Sequence, residues 1–496
     1  MSRIDFSAAR RIRFCARGVF FAAIAWTVLA YGSAAEAPAY VATIVFALLA
    51  ALSVVFPIDS PGAGRLFAGA IGLLAALLLC AIIQILPAPA GLANEAWRSV
   101  NELVGPTPGA ISVAPGMTID ALPRLALPFL VFLSALAWFQ GDAGGLALWR
   151  GLAYFGAAYA AFGILQELLL PDQLLFAPKR FYLGSLTASF VNRNTAGTFF
   201  GIALMLNLGL GFRALRNVRL AGFARKALAL EIGWRDENGA LLLHALLCLI
   251  VALALFLTQS RGAVGASFAG AVAGVAMMTA RPVTGDAPNP RLGERGRAAA
   301  ALAGVLLIVA LFALFADRSV HRLETQGVAD ARWCSFASTL EAIEDHPLLG
   351  TGFGAFQDVF PAYRKAECAG IHGVWDHAHN FFLEGYLGLG LPFAIALCAG
   401  YGALVGVGLQ GLRRRRRLRF APAMGLASLL LASLHAIVDF SPQIPGFAVY
   451  FAAVMASTLT ISTGAGAGAR ALRGAARTRQ DAEGDASGPL ADAGLR

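Results

Sequence analysis

Twelve long apolar runs, separated by polar segments of uneven length, constrain this chain more than any other feature. They fall at roughly 18–34, 39–56, 66–86, 122–139, 149–168, 194–212, 240–258, 262–280, 299–316, 386–411, 420–440 and 446–463. A helix needs about 20 mostly apolar residues to cross a bilayer. Lipid offers the backbone no hydrogen-bond partner, so each crossing segment must satisfy its own polar groups. The pattern predicts an all-α polytopic membrane protein with about 12 transmembrane helices. Composition agrees: the chain is 58% hydrophobic and only 14% charged, where a soluble domain carries about 25% charged residues.

The net charge of +10 invites a nucleic-acid reading, but the positions of the charges argue against one. With the N-terminus inside, most of the 39 Lys and Arg residues fall in the inward segments 1–17, 57–65, 140–150, 213–239, 281–298, 412–419 and 464–496. Such a bias is the positive-inside rule, and the RRRRRLR run at 413–419 is its strongest element. No nucleic-acid partner is expected. The basic start MSRIDFSAARRIRFCARG before an apolar run resembles a signal peptide. The charge alternation calls instead for an uncleaved first span and cytoplasmic termini. The expected organisation is nine spans in 1–316, an outward loop at 317–385, three spans in 386–463 and a disordered cytoplasmic tail at 464–496.

The stretch from Asp317 to Gly390 is the long polar segment between spans. Trp333, Phe336, Leu340 and Ile343 recur at helical spacing, which predicts an amphipathic surface helix over 330–344, stopped by His346-Pro347. Residues 87–121 are rich in Pro and Gly and predict a loop with short turns.

Ionisable groups are costly in hydrocarbon, so their positions are informative. The span centres are nearly free of them; Glu384, His244, His435, Asp439 and Arg261 sit near span ends. A proton-coupled transporter would place such groups at the midplane. This chain gathers them at the outer face, which points to binding or chemistry there. Arg261, in LTQSRGAVGAS, opens a helix after a tight turn. A helix N-terminus favours anions, and a guanidinium fork grips two oxygens of a diphosphate; contact with lipid phosphates is the alternative. In HAHN (377–380), His379 suits a general base. A structural histidine, or a zinc ligand beside His346, His372 and His377, are the competing readings, although no zinc-type spacing supports the latter. His435 and Asp439, four apart in HAIVDF, are expected on one helix face within hydrogen-bond reach. Arg332, Arg364 and Lys365 add positive charge to the loop, and Asn192, Arg193 and Asn194 form a polar set at another boundary. HPLLGTGFGAF is a glycine-rich, loop-shaping turn. Cys334 and Cys368 both fall in the loop and either pair, if it faces an oxidising compartment, or stay free. No DxD pair indicates a metal–diphosphate site, so no metal and no cofactor are expected.

Several motifs together resemble the bacterial O-antigen ligase and polymerase superfamily. They are SRG (260–262), Arg332-Trp333, HPLLGTGFGAF, HAHNFFLEGYLGLG, HAIVDFSPQIPG (435–446), FVNRN (190–194), and QILPAP (84–89) with Trp97 and Ser112. The likeness spans about residues 80–460. It implies a GT-C-like, multi-pass enzyme of the bacterial inner membrane with one large periplasmic loop. The implied donor is a glycan on undecaprenyl diphosphate. The implied acceptor is a sugar hydroxyl, on lipid A–core for a ligase or on another repeat unit for an O-antigen or exopolysaccharide polymerase. The resemblance assigns Arg261 and Arg332 to the diphosphate and His379 to catalysis. Arg193, Asn194, Arg364, Lys365, Asn380 and His377 are candidate donor or acceptor contacts. The expected reaction is a metal-independent, inverting glycosyl transfer, with the ligase favoured over the polymerase. A polysaccharide or lipid transporter is the alternative from another class.

Overall fold

The computed structural model describes residues 6–56, 58, 60–89, 91–216, 218, 233, 237–280, 331–365 and 373–464. The helices within them are α1 (Phe6–Leu29), α2 (Glu36–Ser53), α3 (Pro61–Ile85), α4 (Ala96–Val104), α5 (Pro115–Trp138), α6 (Gly141–Leu169), α7 (Arg193–Leu215), α8 (Glu237–Leu257) and α9 (Arg261–Thr279). After them come α10 (Ala331–Asp345), α11 (Phe356–Tyr363), α12 (Phe381–Leu389), α13 (Leu391–Arg414), α14 (Phe420–Ala436) and α15 (Pro445–Thr463). One small hairpin pairs β1 (Gln173–Leu174) with β2 (Ala177–Pro178). Among the described residues, ten helices are long and apolar enough to cross a membrane, and α14 is a shorter apolar helix. The chain is thus an all-α, multi-pass membrane protein. The expected span at 299–316 lies outside the described residues.

Helices α7 and α15 form the centre. Nearly every side chain of α7 from Asn194 to Leu210 is buried, as is most of α15. Small residues let backbones approach closely, the usual basis of helix packing in lipid. Gly197 and Gly201 of α7 face Ala263 and Ser267 of α9, while Gly270 and Gly274 of α9 face Ala427 and Met424 of α14. Aromatic groups fill the other side. Phe199 and Tyr450 lie 4.2 Å apart between ring centroids, and the Tyr450 hydroxyl donates to Leu152 O at 2.9 Å. At the end of the bundle away from the loop, Arg415 of the RRRRRLR run pairs with Asp142 and donates to Gly464 O at 2.6 Å. That clamp joins the starts and ends of three helices.

At the other end the loop carries a small core of its own, with Ala342, Phe356, Phe360, Ala378 and Leu387 buried together. The GTGFG turn straps it to the bundle. Gln84, buried near the end of α3, donates to Leu349 O at 2.6 Å and Gly388 O at 2.7 Å. Its own oxygen accepts from Phe353 N at 3.1 Å. Val113 N donates to Thr351 O at 2.9 Å, and Thr351 N donates to Leu387 O at 2.8 Å. Gly352, at φ +111°, lies against Ser112, where any side chain would collide. Trp97 holds the strap from outside by donating to Ser112 O at 3.1 Å.

Several expectations need correction. Residues 87–121 are not only loop: Ala96–Val104 forms a short helix, and α5 already begins at Pro115. Proline at the first helical position has no N–H to lose and a preset φ. The apolar run expected from 386 breaks at Gly390, whose φ of +65° ends α12 before α13 begins. The 330–344 helix is present as Ala331–Asp345, but its stripe is divided: Phe336 is buried while Trp333 and Leu340 stay exposed.

Candidate active site

Three helices start at the loop end of the bundle with a capping residue and an arginine or a histidine beside it. In α7, the Asn192 side chain caps by accepting from Asn194 N at 2.8 Å, and Arg193 is the first helical residue. In α9, Ser260 caps and Arg261 is first. In α12, Asn380 caps by accepting from Phe382 N at 3.0 Å and Leu383 N at 3.1 Å, directly after His379. Asn, Ser and Asp are favoured there because their side chains satisfy the free N–H groups of the first turn. The local sequences VNRN, QSRG and HAHN are therefore helix starts as well as polar clusters.

These starts are joined by a buried polar node. The Ser260 hydroxyl donates to Asn194 Oδ1 at 2.8 Å. Asn194 Nδ2 donates to Asp439 Oδ1 at 3.1 Å. Asp439, fully buried, also accepts from Ser441 N at 3.1 Å and from the Ser441 hydroxyl. His435 does not bond Asp439, contrary to the expected helix-face pair. Helix α14 ends at Ala436, so Asp439 turns away, and His435 Nδ1 pairs with Thr198 Oγ1 at 2.6 Å. The residues that reasoning from sequence missed are Ser260, Thr198 and Ser441; none carries a signal beyond its place at a helix end.

His379 is near enough to this node for the Asp439 charge to act on it. It holds a left-handed backbone, φ +57°, and its ring meets Trp375 and Phe440 edge-on at 5.3 and 4.9 Å. Its Nδ1 is enclosed without a hydrogen-bond partner among the described residues. Burial foremost, and then the charge of Arg332, push the imidazole down to about 4, against the pull of Asp439 and Glu384. His377, two residues earlier, is the opposite case. Burial works against its charged form, but Glu384, through charge and a 2.9 Å hydrogen bond, together with Asp376, raises its pKa. One turn thus presents a neutral imidazole and a carboxylate-paired one, a separation of roles by environment.

Arg332, in the first turn of α10, is close enough for its charge to act on His379 and on Tyr182. Arg193 stands over the Tyr182 ring at 5.2 Å. Burial and Asp439 raise the Tyr182 phenol's pKa, and Arg193 and Arg332 oppose them. The structure therefore brings together His379, Arg332, Arg193 and Asn194. Arg261 joins them through its capping neighbour Ser260, with an exposed side chain. Arg364 and Lys365 are exposed on the loop surface, where Arg364 donates to Gly373 O at 3.1 Å and Lys365 pairs with Glu341 at 2.8 Å. Cys334 is disulfide-bonded; Cys368 and His372 lie outside the described residues.

His377 also lines a cavity of about 1140 Å3 that runs along the bundle between α3, α5, α13 and α15. Its walls are mostly apolar, with Leu73, Phe129, Phe393 and Phe451 among them, and its loop end carries Asp120, Arg124, Asp376 and Glu384. Phe440 stands between this cavity and His379: it stacks on His377 at 4.3 Å and meets His379 at its edge.

Residues 246–398 match the family described as O-Antigen ligase. No curated protein matches the chain. The matched segment holds Arg261, Arg332 and the HAHN turn, whereas Arg193, Asn194 and Asp439 lie on either side of it.

Proposed function

This chain belongs to the O-antigen ligase and polymerase superfamily, and we propose that it transfers a glycan from undecaprenyl diphosphate to a sugar hydroxyl of lipid A–core. The site would face the periplasm from the bacterial inner membrane, with both chain termini in the cytoplasm. The observation that carries this reading is the meeting of helix N-termini and arginines around one neutral histidine. Helix N-termini and guanidinium groups stabilise an anion, above all one whose charge grows as a bond breaks.

The chemistry follows from what each group can do. The acceptor hydroxyl oxygen attacks the anomeric carbon of the donor sugar, and the bond from that carbon to the diphosphate oxygen breaks. The hydroxyl proton passes to His379, which its surroundings keep neutral. The electron pair of the broken bond leaves with the diphosphate, held by Arg261 and Arg332, with Arg193 beside them. Attack opposite the leaving group inverts the anomeric centre. No nucleotide is needed, because the carrier diphosphate is already an activated leaving group, and the arginines take the charge-neutralising role that a metal would otherwise have. The apolar cavity beside His377 suits a hydrocarbon chain, and both substrates of a ligase are lipids.

Reconstitution in proteoliposomes with a polyprenyl-diphosphate glycan tests the reading. Transfer to a lipid A–core acceptor supports the ligase. Chain elongation without core overturns the ligase in favour of a repeat-unit polymerase, and translocation without transfer overturns both.

A further inference from the structure

His379 is oriented without any carboxylate on its Nδ1, the device by which many catalytic histidines are held. Its backbone also occupies the left-handed region, which a non-glycine residue keeps only where its surroundings enforce it. The bonds that enforce it come from either side of the turn. Asn380 caps α12 on the one side. On the other, Glu384, one turn into α12, reaches back: its Oε2 accepts from Ala378 N at 2.7 Å, and its Oε1 accepts from His377 Nδ1 at 2.9 Å. Ala378 is fully buried, and its carbonyl accepts from the Ser335 hydroxyl of α10 at 3.4 Å. The residue preceding His379 is therefore held at its N–H by a carboxylate and at its C=O by the helix of Arg332.

We propose that Glu384 is a positioning residue for transfer: its carboxylate locks the Ala378 backbone and the His377 ring, and through them aims His379 at the acceptor hydroxyl. Glu384 does not touch the reacting atoms. Its role depends on reach, because the side chain must span from the end of the first turn of its helix back to the residue before the histidine. A shorter acid keeps the charge and loses the reach. An amide of the same length keeps an oxygen for Ala378 N–H and an N–H for a neutral His377. Charge and reach thus make opposite predictions for two conservative variants.

The inference rests on His379 as the base, so H379A is measured beside E384Q and E384D. All are full-length proteins in proteoliposomes supplied with a polyprenyl-diphosphate glycan and acceptor. E384D is expected to lose kcat by about 10²-fold, the cost of misplacing a reacting group by about 1 Å, with the donor KM unchanged. E384Q is expected to keep at least about a tenth of wild-type kcat, since it retains the geometry. H379A is expected to be inactive. E384D turning over as fast as E384Q or faster overturns the positioning role, as does a loss confined to KM. An active H379A overturns the base assignment and this inference with it, whereas an inactive H379A beside a fully active E384D overturns the inference alone.

Discussion

His377 and His379 share Phe440 as an aromatic partner but meet it differently, the first stacked at 20° between ring planes and the second edge-on at 73°. The ring lets two histidines separated only by Ala378 serve two environments. His377 opens on the apolar cavity with Glu384 as its partner. His379 faces the charge of Arg332 and the Asp439 node.

The pH dependence of transfer follows from the second environment. A histidine base accepts a proton only when neutral, and burial with Arg332 holds His379 down to about 4. The acid limb of kcat/KM, which reports the free enzyme, should therefore stay level from pH 7 to about 5 and fall near 4. An unperturbed histidine would give a limb centred near about 6.5. Initial rates at low donor concentration across this range decide between them.

Arg261 and Asp439 should separate function from stability. The Arg261 side chain is exposed, so R261A should unfold at the wild-type temperature while losing about 10²–10³-fold in transfer, the scale of one lost charge-stabilising contact. R261K should not restore it, since an ammonium lacks the two-pronged fork. D439A, by contrast, strands the buried Asn194 and Ser441 groups it now satisfies and should cost about 1–3 kcal/mol of stability. Melting curves in detergent beside transfer assays give both readouts; early melting of R261A would count against this division.

Gln84 tests the strap. Its side chain makes three hydrogen bonds to the backbone around GTGFG and Gly388. Q84A leaves those groups unsatisfied in a closed site, again about 1–3 kcal/mol, and the loss falls on the loop rather than the bundle. Hydrogen exchange of 348–354 should quicken in Q84A while exchange within α7 and α15 stays slow. Uniform quickening would mean that Gln84 supports the whole fold instead.

Chelation tests the proposed chemistry. If the arginines and helix N-termini neutralise the leaving diphosphate, transfer should survive EDTA at full rate. Loss of activity that added Mg2+ or Mn2+ restores would assign that charge neutralisation to a metal.

The spans were legible because hydrocarbon enforces its own pattern: each of the ten described crossing helices overlaps an expected apolar run, although α1, α5 and α6 begin 7 to 11 residues earlier than expected, where polar and small residues extend the helix beyond the apolar stretch. His379, Arg261 and Arg332 stood out because chemically active residue types are sparse in such a chain. What escaped was the matter that joins them. Ser260, Thr198 and Ser441 are ordinary capping or helix-end residues until three dimensions place them around Asn194 and Asp439. The HAIVDF reading failed for a related reason: helical spacing placed Asp439 beside His435, but the helix stops at Ala436, and Asp439 leaves to serve Asn194. Gln84 appears in the sequence only as the start of QILPAP, because its partners lie more than 260 positions away.

The most direct test of the central claim is single-turnover glycan transfer by H379A in proteoliposomes, with donor binding measured on the same protein. The account predicts that H379A inserts, folds and binds the polyprenyl-diphosphate donor as the wild type does, and transfers its glycan about 10²–10⁴-fold more slowly. Transfer by H379A at the wild-type rate would contradict it.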